Sequence, residues 1–302
     1  MERLANSLFA GFEEKHVVTA GTDFDILTNG SGPAVLLLHA YPETRTAWHR
    51  IAPLLAASYT VVIPDLPGYG RSRVLGKSER SGTKRWMGEQ LHAMMGALGH
   101  SQYVVIGHDR GARVGYRMAI DYPQAVSAYV SVTVVPTPEM WEGASKAFGM
   151  GAWHWFALAQ PEPLPETLLS ANPRMFIDNS LDKMAHGLDR LHPLAIEDYR
   201  IAFDDAAVRH AICNDYRAGA TVDEADDLAD RSNGRRIDVP VLVFWEAGRR
   251  YGGGREPLDI WADWAKDVSG RGLEGGHMLP ETASGAILDM LVPFLDRVSN
   301  GR

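Results

Sequence analysis

The residues best suited to chemistry in this 302-residue chain lie in the run Gly107-His108-Asp109-Arg110-Gly111. Before it, Tyr103-Val104-Val105-Ile106 reads as a short apolar strand. After it, Ala112, Val114, Met118 and Ala119 have helical spacing, so Asp109 is predicted to fall on a tight strand-to-helix turn. Glycine on both sides suits a sharp turn. It admits backbone conformations closed to other residues and keeps side chains clear, which pushes the central carboxylate into whatever pocket lies above. A carboxylate so placed can attack carbon directly. An ester formed by attack at a saturated carbon must then be cleaved by water, and that step calls for a base.

His277, in Glu274-Gly275-Gly276-His277-Met278-Leu279-Pro280, is the candidate base. It stands late in the chain on a glycine-rich loop, where an order of nucleophile first and histidine last places it. His39-Ala40-Tyr41-Pro42 directly follows the apolar run Ala34–Leu38. Its backbone N–H groups are therefore expected at the same edge as Asp109, where such donors stabilise negative charge.

The elements that must position these groups are legible as a pattern. Short apolar runs followed by turns and helical stretches recur at Ala34–Leu38, Thr60–Ile63, Tyr103–Ile106, Ala128–Val132 and Val241–Trp245. This predicts an α/β fold, with a mostly parallel central sheet and flanking crossover helices. Met87, Leu91, Met94 and Leu98 make one helical stripe that stops at Gly99. From 137 to 236 the helical patches contain no convincing strand, so this stretch reads as an inserted helical lid, or cap. Residues 1–136 and 237–302 then form the core domain. Ile287, Leu288, Leu291, Phe294 and Leu295 predict a final amphipathic helix over the sheet.

Composition narrows the partners. A net charge of −8 with both signs interspersed gives no nucleic-acid-binding face, and an acidic substrate would need a local positive pocket. The Arg-rich stretches 231–236 and 249–255 are short and read as solvated loops. Gly252-Gly253-Gly254 is too weak a signal for a phosphate cradle. The lone Cys213 cannot form an intrachain disulfide and has no metal-ligand spacing around it, which fits a reducing compartment. The start Met1-Glu2-Arg3-Leu4-Ala5-Asn6-Ser7 lacks a signal-peptide hydrophobic region, and no apolar run approaches the roughly 20 residues that span a bilayer. The expectation is a cytoplasmic protein without membrane contact.

Together, His39-Ala40-Tyr41-Pro42, Asp65-Leu66-Pro67-Gly68-Tyr69-Gly70-Arg71-Ser72, Gly107-His108-Asp109-Arg110-Gly111-Ala112-Arg113 and Gly276-His277 resemble the α/β-hydrolase superfamily. The likeness is to its aspartate-nucleophile branch of dehalogenases and epoxide hydrolases, and it covers nearly the whole chain. Asp109-Arg110 with Arg113, His154-Trp155, Ala159-Gln160-Pro161, His192-Pro193, Asp215-Tyr216-Arg217-Ala218-Gly219 and Pro257-Leu258-Asp259-Ile260-Trp261 more narrowly resemble the fluoroacetate (haloacetate) dehalogenases. That resemblance implies that Asp109 displaces halide from the α-carbon and that His277 activates the water that hydrolyses the ester. It implies that Arg110 and Arg113 hold the substrate carboxylate, with Tyr41 also in the substrate-binding set. It further implies that His154, Trp155 and Tyr216 receive the halide, that neither cofactor nor metal is used, and that the protein is a homodimer. Two guanidiniums beside a carboxylate would also keep Asp109 ionised, and N–H and O–H donors would replace the water around a leaving fluoride.

The chain departs from the family at two positions. Thr133, in Val132-Thr133-Val134-Val135-Pro136-Thr137, stands where family members carry the aspartate that orients the histidine. A neutral hydroxyl cannot stabilise an imidazolium in the same way. Glu246, after Val241–Trp245, is the candidate replacement acid. Ala40 replaces the usual glycine and narrows the turn beside the nucleophile. Two alternatives stay open. One is epoxide hydrolysis with Tyr216 as proton donor, which the arginine pair disfavours because a neutral epoxide has no use for two buried cations. The other is a catalytically weakened homologue that binds a small carboxylate.

Overall fold

The apolar runs of the sequence form the interior of one sheet. The protein is described by a computed structural model covering residues 4–76 and 78–300; Met1–Arg3, on which the reading of the chain's start partly rests, lie outside the described residues. Among the described residues nine strands are hydrogen-bonded together: β1 (Glu13–Val18), β2 (Thr22–Asn29), β3 (Ala34–Leu38), β4 (Thr60–Pro64), β5 (Arg73–Val74), β6 (Tyr103–His108), β7 (Val126–Val132), β8 (Val241–Glu246) and β9 (Val268–Leu273). Their order is β1-β2-β4-β3-β6-β7-β8-β9, with β5 against β2. β1, β2, β4 and β5 meet in antiparallel pairs, whereas β4-β3-β6-β7-β8-β9 is parallel throughout. Every residue of β3 and β6 is buried, which is why these strands read as continuous apolar runs instead of alternating ones.

Two strands carry little signal in the sequence for physical reasons. β1, Glu13-Glu14-Lys15-His16-Val17-Val18, is an exposed edge strand held by its backbone ladder to β2, so no apolar face is required of it. β9 contains Gly270, where an added Cβ would sit 2.1 Å from the Val243 carbonyl oxygen. Close strand approach thus demands glycine and removes the β-branched pattern.

Parallel register brings the carboxyl ends of β3, β6, β7, β8 and β9 to one edge, where ligands bind in open α/β sheets. Between β7 and β8, the chain from Thr137 to Ser232 is helical, including Pro173–Ala185, Pro193–Asp204, Ala206–Gly219 and Val222–Ser232. These helices are fastened to the rest by buried polar seams. Asp198 accepts from the hydroxyls of Thr44 and Thr46, and the Tyr199 hydroxyl donates to Glu281 at 2.8 Å. On the other side Arg117 meets Asp230 at 2.6 Å and Asp227 at 3.6 Å, and the Tyr116 hydroxyl donates to Asp227. Breaking one partner of such a seam leaves an uncompensated buried charge, so each seam strongly opposes separation.

Burial pushes the Asp227 carboxyl up to about 7, and the Arg117 guanidinium only partly opposes it. The folded chain therefore holds a proton that the unfolded chain has released between about pH 4 and 7, and stability from this group falls as pH rises through that window. Asp227→Asn keeps an oxygen for the Tyr116 hydroxyl but cannot ionise. Its melting temperature relative to wild type should rise from about pH 5 to 7 and level off above that; a difference that does not change with pH would contradict the assignment.

Candidate active site

Asp109 leaves β6 with φ 46° and ψ −109° and is the N-cap of the Arg110–Asp121 helix. The strained backbone belongs to the aspartate itself, not to its flanking glycines, which serve a different need. A Cβ on Gly107 would lie 2.5 Å from Ala112 backbone atoms, and one on Gly111 would lie 2.4 Å from the Leu38 carbonyl oxygen. The glycines allow the turn to close against β3, and the closure forces Asp109 outward. Two backbone bonds fix it: Asp109 N–H donates to the Val132 carbonyl at 3.1 Å and Gly111 N–H to the His39 carbonyl at 3.0 Å.

The Asp109 carboxylate is buried, with one oxygen 3.4 Å from the Tyr41 N–H and the other 3.5 Å from His277 Nε2. Burial alone would raise its pKa, but the His277 contact and the charges of His277, Arg110 and His108 outweigh it and hold the carboxyl far below its usual range. Of the expected backbone donors, Tyr41 N–H is the one aimed at Asp109; Ala40 N–H is taken by Glu43 at 2.9 Å. The Tyr41–Pro42 peptide is cis.

His277 follows β9 on a loop turned by Gly275 (φ 154°) and Gly276 (φ 76°). Its N–H donates to the Met184 carbonyl at 2.8 Å, and its carbonyl accepts from His108 Nε2 at 2.8 Å. His108 is fully buried, with Nδ1 3.2 Å from Glu43 Oε2. Burial works against its charge, but the Glu43 carboxylate beside it prevails and raises its pKa. Among the described residues, no carboxylate other than Asp109 lies within ion-pair distance of the His277 ring.

The two acid candidates behave differently from each other. Thr133 lines the cavity with Asp109 and His277, at φ 66°, and its hydroxyl donates back to the Val132 carbonyl at 2.8 Å. Glu246 also lines the cavity, yet its carboxylate faces His186 at 3.4 Å and Arg249 at 3.7 Å. The expectation that Glu246 backs His277 is corrected on this geometry: the half-buried carboxylate at the end of β8 meets the Arg249 guanidinium and the His186 ring instead of crossing to His277.

The arginine pair is unequal. Arg110 gives Nε to one oxygen of Asp215 at 2.9 Å and Nη2 to the other and to the Asp215 carbonyl, so at most Nη1 is left for a ligand. Asp215 in turn is shared with Lys84 and, at 2.6 Å, with the Tyr69 hydroxyl. Burial would raise the Asp215 carboxyl, but Arg110 and Lys84 bring it down to about 2. Arg113 lines the cavity: Nη1 donates to Thr137 at 3.0 Å, and its buried Nε has no partner among the described residues. Nothing in the sequence signals the pairing of Arg110 with Asp215, because Asp215 lies 105 positions further on and no local pattern announces it.

Tyr41, His154, Trp155 and Tyr216 come together and line the same cavity of about 390 Å³. Tyr41 stacks on His154 at 5.5 Å, and Tyr216 meets Tyr41, His154 and Trp155 edge-on at 5.4, 5.7 and 6.0 Å. Burial lowers His154 to about 4, so it is a neutral donor, and burial raises Tyr41 to about 12 and Tyr216 well above its ordinary value. All three remain hydrogen-bond donors near neutral pH. Arg113 lies 4.8 Å from the Trp155 ring and Arg110 lies 4.3 Å from the Tyr216 ring, so cations hold these aromatic faces in place. Sequence reasoning missed Glu43, His108 and Lys84. His108 was visible as a polar residue at the end of an apolar strand, whereas Glu43 and Lys84 acquire meaning only from their partners in space. No group of three or more potential metal ligands occurs among the described residues.

A carboxylate on a strand-to-helix turn, with a loop histidine beside it at the carboxyl edge of a mostly parallel sheet, is the arrangement that a family comparison can test. Residues 33–247 match the family model for the alpha/beta hydrolase fold, and the chain belongs to that family. The chain is 35% identical to the fluoroacetate dehalogenase of Burkholderia sp. over 97% of both chains, and 26% identical to a soluble epoxide hydrolase of Corynebacterium sp. over 89% of this chain and 92% of that one. A solved structure of a "putative epoxide hydrolase" from Pseudomonas aeruginosa, a threonine-to-aspartate mutant with bound MFA, is 49% identical with a TM-score of 0.93, covering 96% of this chain and 97% of that one. No described helix is long and apolar enough to cross a membrane.

Proposed function

We propose that this hydrolase is a dehalogenase of short 2-haloacids, working through a covalent ester on Asp109. Arg113 is the observation that carries the proposal. A buried guanidinium whose Nε is unpartnered among the described residues, lining the same cavity as the nucleophile, calls for an anionic group on the substrate. With the substrate carboxylate held there, an Asp109 oxygen attacks the α-carbon and the carbon-halogen bond breaks, its electron pair leaving with the halide. His154, Trp155 and Tyr216 present N–H and O–H groups to that ion. Water then adds to the carboxyl carbon of the Asp109 ester as His277 takes its proton. The Tyr41 N–H meets the oxygen that gains charge, and collapse expels the hydroxyacid, which recovers the proton from His277. In the proposed mechanism Arg110, locked to Asp215, chiefly orients Tyr216 and keeps Asp109 ionised. The 35% identity to a fluoroacetate dehalogenase across almost the full length supports this substrate class. The helices from 137 to 236 act as the cap that closes the cavity.

Epoxide hydrolysis is the second reading. Tyr216 lines the cavity and keeps its phenolic proton at neutral pH, so its hydroxyl can hydrogen-bond a ring oxygen, although burial raises its pKa and weakens it as an acid. Against it stands Arg113, whose buried charge would face a neutral substrate.

Halide release from fluoroacetate, chloroacetate and bromoacetate, run beside diol formation from a styrene-type epoxide, separates the readings. Sustained halide release is expected, lost by roughly ten-thousandfold in Asp109→Asn. Diol without halide, or halide release retained by a contamination-free Asp109→Asn protein, would overturn the proposal. Thr133→Asp is the complementary test. The positive φ at 133 suits aspartate better than a β-branched residue, and the new carboxylate would support the His277 imidazolium. Turnover of bromoacetate should rise by roughly tenfold with the first bromide release unchanged; a fall in turnover would show that position 133 does not serve the base.

A further inference from the structure

With Thr133 neutral and Glu246 turned towards His186, neither acid candidate holds the His277 ring. The main chain does. The peptide groups flanking His277 are gripped on the core side by His108, whose Nε2 donates to the His277 carbonyl at 2.8 Å. They are gripped on the cap side by the corner that ends the Pro173–Ala185 helix. There the His277 N–H donates to the Met184 carbonyl at 2.8 Å. The helix stops at His186 in the left-handed region (φ 60°), and the ring of His186 passes so close to Gly276 that a Cβ there would lie 3.3 Å from it and 2.7 Å from the Met184 oxygen. Arg190, half-buried in the turn that follows, places Nη1 2.7 Å from the Ala185 carbonyl and 3.4 Å from the Gly275 carbonyl, bridging cap and base loop.

We infer that the cap corner Met184–Arg190 is the positioning device for the base, with Arg190 its side-chain positioning residue, so that ester hydrolysis is competent only while this corner is docked on the Gly275–His277 loop. The inference rests on the proposed role of His277. It separates the two chemical steps. Attack by Asp109 on the α-carbon needs no proton transfer and draws on the cap through His154, Trp155 and Tyr216, not through Arg190, whereas hydrolysis needs the His277 ring beside the ester, and the ring's place is set by contacts that the corner supplies. Gly276 is required at its site because the φ of 76° and the Met184 oxygen both exclude a side chain.

Arg190→Ala, Arg190→Lys and Gly276→Ala, each made in the full-length protein, test this with bromoacetate. Arg190→Ala should leave the first-turnover burst of bromide within about twofold of wild type and slow the following turnover roughly ten- to hundredfold, as expected for misplacing a catalytic group by about an ångström. The carboxymethyl ester of Asp109 should accumulate in its intact-protein mass. Arg190→Lys, which keeps a donor for the two carbonyls, should recover most of the turnover. Gly276→Ala should repeat the Arg190→Ala behaviour more severely. Equal loss of burst and turnover, or no change in either, overturns the inference. A crystal structure of Arg190→Ala tests the positioning independently of activity: His277 Nε2 should leave its 3.5 Å position beside Asp109 or occupy several positions, and an unmoved His277 in both alanine variants overturns the inference. If the wild-type protein releases no bromide at all, the dehalogenase reading fails on its own, while the crystal structures still decide whether the cap corner positions His277.

Discussion

The whole site depends on keeping one carboxylate charged while it is shut away from water. An isolated buried carboxylate would take up a proton and lose its power to attack. Asp109 escapes this through charges and donors that converge from separate elements: His277 on the loop after β9, Arg110 and the helix N-terminus that follow it, His108 before it, and the Tyr41 N–H from the loop after β3. None of these contacts stands alone, because each is itself held by something else. His108 needs Glu43, Arg110 needs Asp215, and Asp215 needs Lys84.

This dependence explains why the helices between β7 and β8 are joined to the sheet by ions as well as by apolar packing. The Arg110–Asp215–Lys84 cluster, with Tyr69, lies directly behind the aromatic wall formed by Tyr216 and Trp155, so the seam that fastens the inserted helices also fixes the donors facing Asp109. Buried ion pairs add little net stability compared with apolar packing, but they define geometry sharply, because any displacement leaves a charge without its partner. The distinction matters most for Arg110 and Arg113. Three residues apart on one helix, they differ in their ties: Arg110 is clamped to Asp215 by Nε and Nη2, whereas Arg113 lines the cavity and its buried Nε has no partner among the described residues.

Much of this is legible in the amino-acid sequence alone. The parallel strands announce themselves because burial on both faces forces continuous apolar runs, and Asp109 is marked by the glycines that its turn requires. His277 is found by its place in the chain. What stays hidden are relations between distant residues. Asp215 reads as an ordinary helical acid until it is seen against Arg110, and Glu246 reads as a free acid until His186 and Arg249 are seen beside it. The exposed strand β1 and the glycine-containing β9 escape a sequence reading because backbone pairing, not an apolar face, creates them. Thr133 is the reverse case: its departure is plain in sequence, and its backbone at φ 66° keeps the shape of a turn that an aspartate would fit.

The central claim is that Asp109 itself attacks carbon, and the fate of oxygen tests it most directly. In a single turnover of bromoacetate with enzyme in excess, run in water labelled with heavy oxygen, the hydroxyl oxygen of the glycolate formed should come unlabelled from the Asp109 carboxylate, and the label should appear in the side chain of Asp109 when the peptide containing it is weighed. Label entering the glycolate directly, with none in Asp109, would mean that water attacks the substrate without a covalent ester and would contradict the account.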